Sequence, residues 1–512
     1  MIPLIYRDDV AETFAVKRTG RIHIPYNEII SNLCHLSKNV WNQAQHIVDG
    51  EYKEFGHVPS YEDIDVMLNK KSYYKKNPSF DNYHKLGGVT SQQVLKVHNK
   101  SWKSYLIARK DYFTNPDKDY TGIPKEPKYK KKDGEFILIF TNQQIKFRER
   151  KDGSIWMIFP KNIKDKEGKK FKIKLGNIKD DVNNYIIERL MYNKFDQVRI
   201  IPAGTGYWIE IVYDKEVIKD NSKYELDTNK IIAIDLGIEN LGAITDNIGN
   251  RPIIIKGSEI KCINQWYNKR KAELQTIYDR NIIGKACLVR IDKKTNKVKK
   301  SLDKYGSNQS ARADKFGRIK YLIKKTGSKM DILTDNRNKK VMDELHKFSR
   351  GIVNHALSIK AGIITIGKNP GWKQKIKIGK KNNQNFANIP FAKLIDLVRY
   401  KAEEYGITVL SPTEEHTSKC SFLDSEEICH HDKYMGQRVK RGLFKASKGT
   451  MINSDVQGSY NILVKTPIEQ KTKFDNVYPK FNVFDIMEGV AVHRLVPERL
   501  SVSDLLKPTS QS

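Results

Sequence analysis

Cysteine is scarce: five in 512 residues (Cys34, Cys262, Cys287, Cys420 and Cys429), scattered and odd in number. That excludes a disulfide framework and fits a reducing compartment. No uninterrupted apolar run approaches the length of a membrane-crossing helix. The start, MIPLIYRDDVAETF, is broken by charge too early for a signal peptide. The expectation is a cytoplasmic protein with no membrane partner. Acidic residues are also in short supply: 60 Asp and Glu face 92 Lys and Arg, a net charge of +32. A surplus of that size points to a polyanionic partner, nucleic acid first. No basic amphipathic anchor favours a membrane surface instead. Hydrophobic residues still make up 39%, so wholesale disorder is excluded and the length suits roughly two to four domains.

The most informative stretch is IIAIDLGIENL, Ile231 to Leu241. Four apolar residues run into Asp235, then Gly237 follows. A near-continuous apolar run describes a strand buried on both faces. A charged residue inside such a run is costly unless it is paired or binds a metal. Taken alone, a solvated aspartate at a strand end is the simpler reading. Two distant stretches change the balance: TVLSPTEEHTSKC (Thr408 to Cys420) and NSDVQGSYNIL (Asn453 to Leu463). Together the three segments can bring carboxylates to one point.

In chain order, residues 1–24 are strand-like, and from Tyr26 to about residue 115 the apolar period turns helical. GIPKEPKYKKKDG then opens a β-rich region, 116–228, of short strand-like runs separated by Gly, Asp and Lys turns. It reads as a small β-barrel with the helical lobe inserted into it. Residues 229–418 and 452–465 read as an αβ domain. Its order is three antiparallel strands, a helix, then strand–helix–strand–helix, which is that of an RNase H-like fold. A basic, weakly patterned insertion spans 285–328, expected to be disordered or ordered by nucleic acid. Residues 466–512 read as a polar C-terminal tail.

At this point the residues resemble a known family. SWKSY, GIPKEPKYKKK, IFTNQQIK, AIDLGIENL, RNKKVMDELHKFSR, IGKNPGWKQ, NNQNFANIPF, TSKCSFLD and NSDVQGSYNIL, in that order, are similar to TnpB, the transposon-encoded RNA-guided nucleases related to type V CRISPR effectors. The resemblance implies a multidomain α+β protein: an RNase H-like (RuvC) nuclease domain, a β-barrel wedge domain and a helical recognition lobe. It also implies a guide RNA, a double-stranded DNA target, Mg2+, and a prokaryotic, nucleoid-associated location.

Two departures from the family pattern stand out. The second catalytic acid usually ends the fourth strand, where this chain reads IGKN and Lys368 takes the acid's place. The zinc-binding CxxC pairs expected in the insertion 419–451 are reduced to Cys420, with Leu423 at the partner position and no cysteine in RGLFKASKGT. Cys429, His430 and His431 do not restore the spacing, so zinc is not expected.

Phosphodiester hydrolysis places charge on both the attacking and the leaving oxygen, and two Mg2+ ions held by carboxylates stabilise both. Asp235 and Asp455 would supply two ligands. Some relatives, eukaryotic ones among them, place the second acid three residues before the TS of TEEHTS, which is Glu414 here, with Glu415 the runner-up. Trp372, Lys373, Lys375 and Lys377 combine an aromatic with cations and suit nucleic-acid contact. The reading is an RNA-guided DNA endonuclease. A nuclease-dead guided repressor and a plain RNA-binding accessory protein are the alternatives.

Overall fold

The computed structural model describes residues 13–75, 77–115, 122–177, 195–218, 224–237, 239–280, 290–291, 298–300, 311–313, 319–321, 328–368, 389–470 and 497–506. Trp372, Lys373, Lys375 and Lys377 lie outside them. The chain divides into two compact units, Glu12–Ile218 and Lys219–Ser512 with Met1–Ala11. It is a multidomain α+β protein. Among the described residues no helix is long and apolar enough to cross a membrane.

The first unit opens with β1 (Thr13–Pro25). Helices α1 (Glu28–Phe55), α2 (Tyr61–Asn69), α3 (Asn82–Leu86) and α4 (Gly88–Thr114) follow. Strands β2 (Leu138–Thr141), β3 (Lys146–Glu149), β4 (Ser154–Ile158), β5 (Lys172–Asn177), β6 (Phe195–Ala203) and β7 (Gly206–Ile218) complete it. α1 starts where Asn27 caps it, accepting from the Ile29 and Ile30 amides, and stops at Gly56 in the left-handed region (φ 66°). β1 pairs with β7 from Thr13↔Ile218 to Pro25↔Gly206, so the four helices are inserted between two partner strands. The strands form two sheets, β1-β7-β6-β2 and β3-β4-β5. Where the sequence suggested a single barrel, β3–β5 pair only among themselves within the described residues. One core joins Trp41, Val94 and Trp102 of the helices to Phe140, Ile200 and Ile209 of the strands, so the helical and β-rich stretches are one packed body.

The second unit is built on β8 (Asp227–Asp235), β9 (Asn240–Asp246) and β10 (Ile253–Lys256), a continuous antiparallel set. After α5 (Ser258–Arg280) come two short hairpins, β11 (Arg290–Ile291) with β12 (Val298–Lys300) and β13 (Ala311–Ala313) with β14 (Ile319–Tyr321). They are the part of the basic insertion that is described. Then follow α6 (Ser328–Ser358), β15 (Ala361–Ile366), α7 (Phe391–Glu403) and β16 (Thr408–Leu410). A three-stranded sheet of β17 (Gln437–Lys440), β18 (Leu443–Lys445) and β19 (Met451–Asn453) leads into α8 (Ser454–Gln470). The main sheet runs β16-β15-β8-β9-β10-β20, with β15 parallel to β8 and β16 parallel to β15.

β20 (Glu498–Leu500) and α9 (Val502–Leu505) correct the sequence reading, which left 466–512 as a tail. β20 adds to the sheet edge parallel to β10. Ser501 and Asp504 form a capping box that starts α9, whose Val502 and Leu505 enter the core. The packing is close: a Cβ on Gly351 of α6 would lie 2.6 Å from Leu505 Cδ2.

Both sheet faces are covered, which is why β8 reads as unbroken apolar sequence. Ile232 and Ile234, with Ile364 and Ile366 of β15, pack among Phe348 and Ile352 of α6 and Leu394 and Val398 of α7. Ile231, Ala233 and Ile363 pack on the other face with Val456, Tyr460 and Ile462 of α8.

Candidate functional site: three carboxylates at the strand ends

Side chains alternate along a strand. Asp235 therefore shares the α8 face with Ile231 and Ala233. On the parallel neighbour β15, Ile366 is in register with Ile234, and the next amide, Gly367 N–H, donates to Ile234 O at 3.2 Å. Gly367 thus stands beside Asp235 on the same face. A Cβ there would lie 2.5 Å from Cγ and Oε1 of Glu414 and 2.6 Å from Ile462 Cδ1. The volume a side chain at 367 would fill is taken by Glu414. The sequence reading put Lys368 in the place of the usual acid. The register sets Gly367 beside Asp235, and Lys368 is exposed, one step round the alternation.

Glu414 gets there because the chain beyond β16 keeps pairing with the end of β15. Lys368 N–H donates to Pro412 O at 2.9 Å, and Lys368 bridges Thr413 in parallel fashion. The chain then turns, and Thr417 closes the turn by donating its amide (3.2 Å) and hydroxyl (2.9 Å) to Glu414 O. Glu415 is exposed and is not part of the cluster; its backbone oxygen accepts from Lys465 Nζ at 3.2 Å.

Asp455 comes from the first turn of α8. Asn453 caps the helix, accepting from the amides of Asp455 (3.0 Å) and Val456 (3.3 Å). Asn240, at the start of β9, donates to Asp455 Oδ2 at 2.6 Å, and Arg438 Nη2 lies 3.9 Å from Oδ1. One turn on, Gly458 faces Asp235: a Cβ there would sit 2.6 Å from Asp235 Oδ2. Ser459 donates to Ala233 O at 2.9 Å, which ties the helix to β8. Two fully buried amides tie it to the loop that carries Glu414. Asn461 donates to Thr417 O and Cys420 O, both at 2.8 Å, and Gln457 donates to Cys420 O at 2.6 Å. Six of the eleven residues of NSDVQGSYNIL (Asn453, Asp455, Gln457, Gly458, Ser459 and Asn461) therefore supply a carboxylate, make room for one, or fix the position of one.

Burial, and then the charges of Glu414 and Asp455, push the Asp235 carboxyl well above its usual range; Arg438 pulls the other way. Such a cluster is short of positive charge, and its donors are all hard oxygens, the kind Mg2+ prefers. As the side chains stand, no group of three His, Cys, Asp or Glu among the described residues is arranged to hold one ion. Mg2+ does not need that closure, because it keeps several waters and binds through one or two carboxylates plus phosphate oxygens.

The zinc site of the family pattern does not fit. Cys420 Sγ donates to Cys429 O at 3.4 Å, and Cys429 Sγ lies 3.3 Å from His431 Nε2. The two arms of the insertion are joined instead by carboxylates. Asp424 accepts from Ser421 Oγ (2.6 Å), the Ser447 amide (2.9 Å) and the Ser447 hydroxyl, while Glu426 accepts from the amides of Ser421 (2.6 Å) and Met435 (2.9 Å). Phe422 stacks on Tyr460 of α8 with ring centroids 4.5 Å apart.

Gly367, Gly458, Asn240, Gln457 and Asn461 went unremarked in the sequence. The signal was present only as small and amide residues, four of them within two of the acid-bearing segments and Gly367 in IGKN.

Comparison with known proteins bears out the resemblance to TnpB. Residues 210–371 match the OrfB_IS605 family, described as a probable transposase, and 391–462 match the Cas12f1-like TNB domain. "TnpB-like protein ORF457" of Acidianus two-tailed virus is 23% identical over 486 residues, 88% of this chain and 90% of that protein. Among solved structures, a Cas12f1–sgRNA–target DNA complex is 12% identical, covering 88% of this chain and 98% of its own, with a TM-score of 0.47. Alicyclobacillus acidoterrestris C2c1 with single-guide RNA is 10% identical, covering 85% and 67%, with a TM-score of 0.35. At these TM-scores no residue correspondence is taken from the alignments.

Proposed function

From its place among TnpB-like proteins, we propose that this chain is an RNA-guided DNA endonuclease encoded by a transposon, with Asp235, Glu414 and Asp455 as its catalytic carboxylates. One observation carries the reading: three acids from segments 179 and 41 residues apart along the chain converge at the ends of adjacent parallel strands, with two glycines leaving the room they need. A structural ion-pair network would surround them with cations, and among the described residues Arg438 is the cation that bears on Asp235.

In this reading the second unit is the RuvC nuclease domain, and 419–451 is its target-binding insertion. The first unit combines the wedge strands and the recognition helices. Guide pairing reads the target, and protein contacts read a short motif beside it. Asp235 is central, flanked by Glu414 from the β16 side and Asp455 from α8, and these three carboxylates would hold the Mg2+. Mg2+ bound there would activate the attacking water and stabilise the leaving oxygen. Asn240 orients Asp455 by donating to its Oδ2. Asn461 and Gln457 hold the loop that follows Glu414 on α8, the helix that carries Asp455.

The test is cleavage by the protein with its co-purified RNA, a matching DNA target and Mg2+. Asp235→Ala, Asp455→Ala and Glu414→Ala are expected to abolish cutting and spare guided binding, with Glu415→Ala active. Wild type that binds its target and never cuts would establish the repressor reading. Absence of a discrete structured RNA would establish the accessory-protein reading.

A further inference from the structure

A second concave site lies in the first unit. It is a cavity of about 780 Å³ floored by α1, with the Tyr73–Asn82 segment on one side and the strap 130–133 on the other. Its walls are built rather than incidental. The Phe80 carbonyl is held twice, by Gln43 Nε2 at 2.6 Å and Asn82 Nδ2 at 2.9 Å, yet its ring is 59% exposed. Tyr73 is 47% exposed and braced edge-on against Tyr74, whose buried hydroxyl donates to Leu68 O at 2.9 Å. Two aromatic residues with fixed backbones thus face solvent at the rim of the cavity.

The strap is latched to α1 just as firmly. Asn42 makes both backbone bonds of Lys130, at 2.7 and 3.0 Å, and the buried Lys38 ammonium donates to Lys132 O at 2.5 Å. Lys130 Nζ sits 4.2 Å over the Trp41 ring, so its charge is directed inward, whereas Lys132 is exposed. Asn39, which also lines the cavity, donates to Asn82 Oδ1 at 3.0 Å. Flat apolar faces, amide side chains and an exposed ammonium within one cavity match the three parts of a nucleotide: base face, base edge and phosphate.

We propose that this cavity binds one unstacked nucleotide of a single-stranded nucleic acid, its base against Phe80 and Tyr73 and its phosphate toward Lys132. The nucleic-acid function proposed above guides only the choice of probe; cleavage is not the readout, so an inactive nuclease site leaves this proposal standing.

Full-length protein is titrated with a short fluorescein-labelled single-stranded RNA of mixed sequence, and separately with the DNA of the same sequence, over a range of salt. The double variant Tyr73→Ala/Phe80→Ala is expected to bind roughly tenfold or more weakly at every salt concentration, because stacking is lost while the phosphate contacts stay. Its salt slope and thermal midpoint are expected to be unchanged, and Phe80→Trp to retain affinity. Lys132→Ala is expected to lower the slope by about one. A loss confined to RNA assigns the cavity to a guide, and a loss confined to DNA assigns it to a target strand. Binding of both probes within about twofold of wild type by the double variant overturns the proposal.

Discussion

Gly367→Ala is the substitution that isolates the placement of Glu414. The new methyl would stand 2.5 Å from Glu414 Cγ and 2.6 Å from Ile462 Cδ1, about 1 Å or more inside normal carbon contact. Ile462 is fully buried on α8, beside the clamped Asn461. Glu414 is on a turn. The cheaper relief is for Glu414 to move by about 1 Å, a displacement that costs on the order of 10²-fold in rate when it falls on a catalytic group. Overpacking costs about 1–3 kcal/mol of stability, partly offset by about 0.4–1 kcal/mol from the smaller conformational freedom of the unfolded chain without this glycine. Cleavage is therefore expected to fall far more than stability. Single-turnover cleavage at saturating guide, target and Mg2+, read beside the thermal midpoint, checks this. Gly367→Ala that cuts within about threefold of wild type would refute the placement. The reciprocal experiment moves the acid back to the strand: Gly367→Glu with Glu414→Ala is expected to recover part of the activity that Glu414→Ala loses, whereas Lys368→Glu with Glu414→Ala is not.

Two further outcomes follow from the electrostatics. The Asp235 carboxyl is raised above 3.8 in the folded protein, so the folded state holds its proton longer than the unfolded chain does. Metal-free stability should therefore fall as pH rises from about 4 through the raised value. Asp235→Asn is expected to raise the metal-free thermal midpoint at neutral pH while abolishing cleavage; a lower midpoint would contradict the repulsion. Asp424 carries the opposite sign. Burial raises its carboxyl, but bonds from Ser421 and Ser447 outweigh that and leave it lowered, so its contribution is present above about pH 4 and fades in acid. Asp424→Ala should loosen the insertion and weaken target binding, with no zinc found in the wild-type protein. One zinc per chain would show that the carboxylates are not what joins the two arms.

The chain's own order of residues was enough to locate much of the site. An apolar run ending in Asp235 had to be a strand covered on both faces, because no exposed strand tolerates that pattern. The helix-start signal Asn453–Asp455 was local, since a cap is made by neighbours in sequence. Glu414 could be picked out by the resemblance of TEEHTS to relatives that carry an acid at that place. What needed the tertiary structure was register and long-range packing. One residue's difference in pairing decides which of Gly367 and Lys368 faces Asp235, and alternation then sends the other to the opposite side. The glycines at 367 and 458 acquire meaning only from a carboxylate brought up from a distant segment. Residues 498–505 looked like a polar tail because a three-residue strand and a four-residue helix carry too little periodicity to be seen, and only the open edge of β10 and the space beside Gly351 give them a place. The helices and strands of 13–218 differ in period and so read as separate domains, but burial is decided by which apolar faces meet, and there Trp41 and Trp102 meet Phe140 and Ile209 in one core.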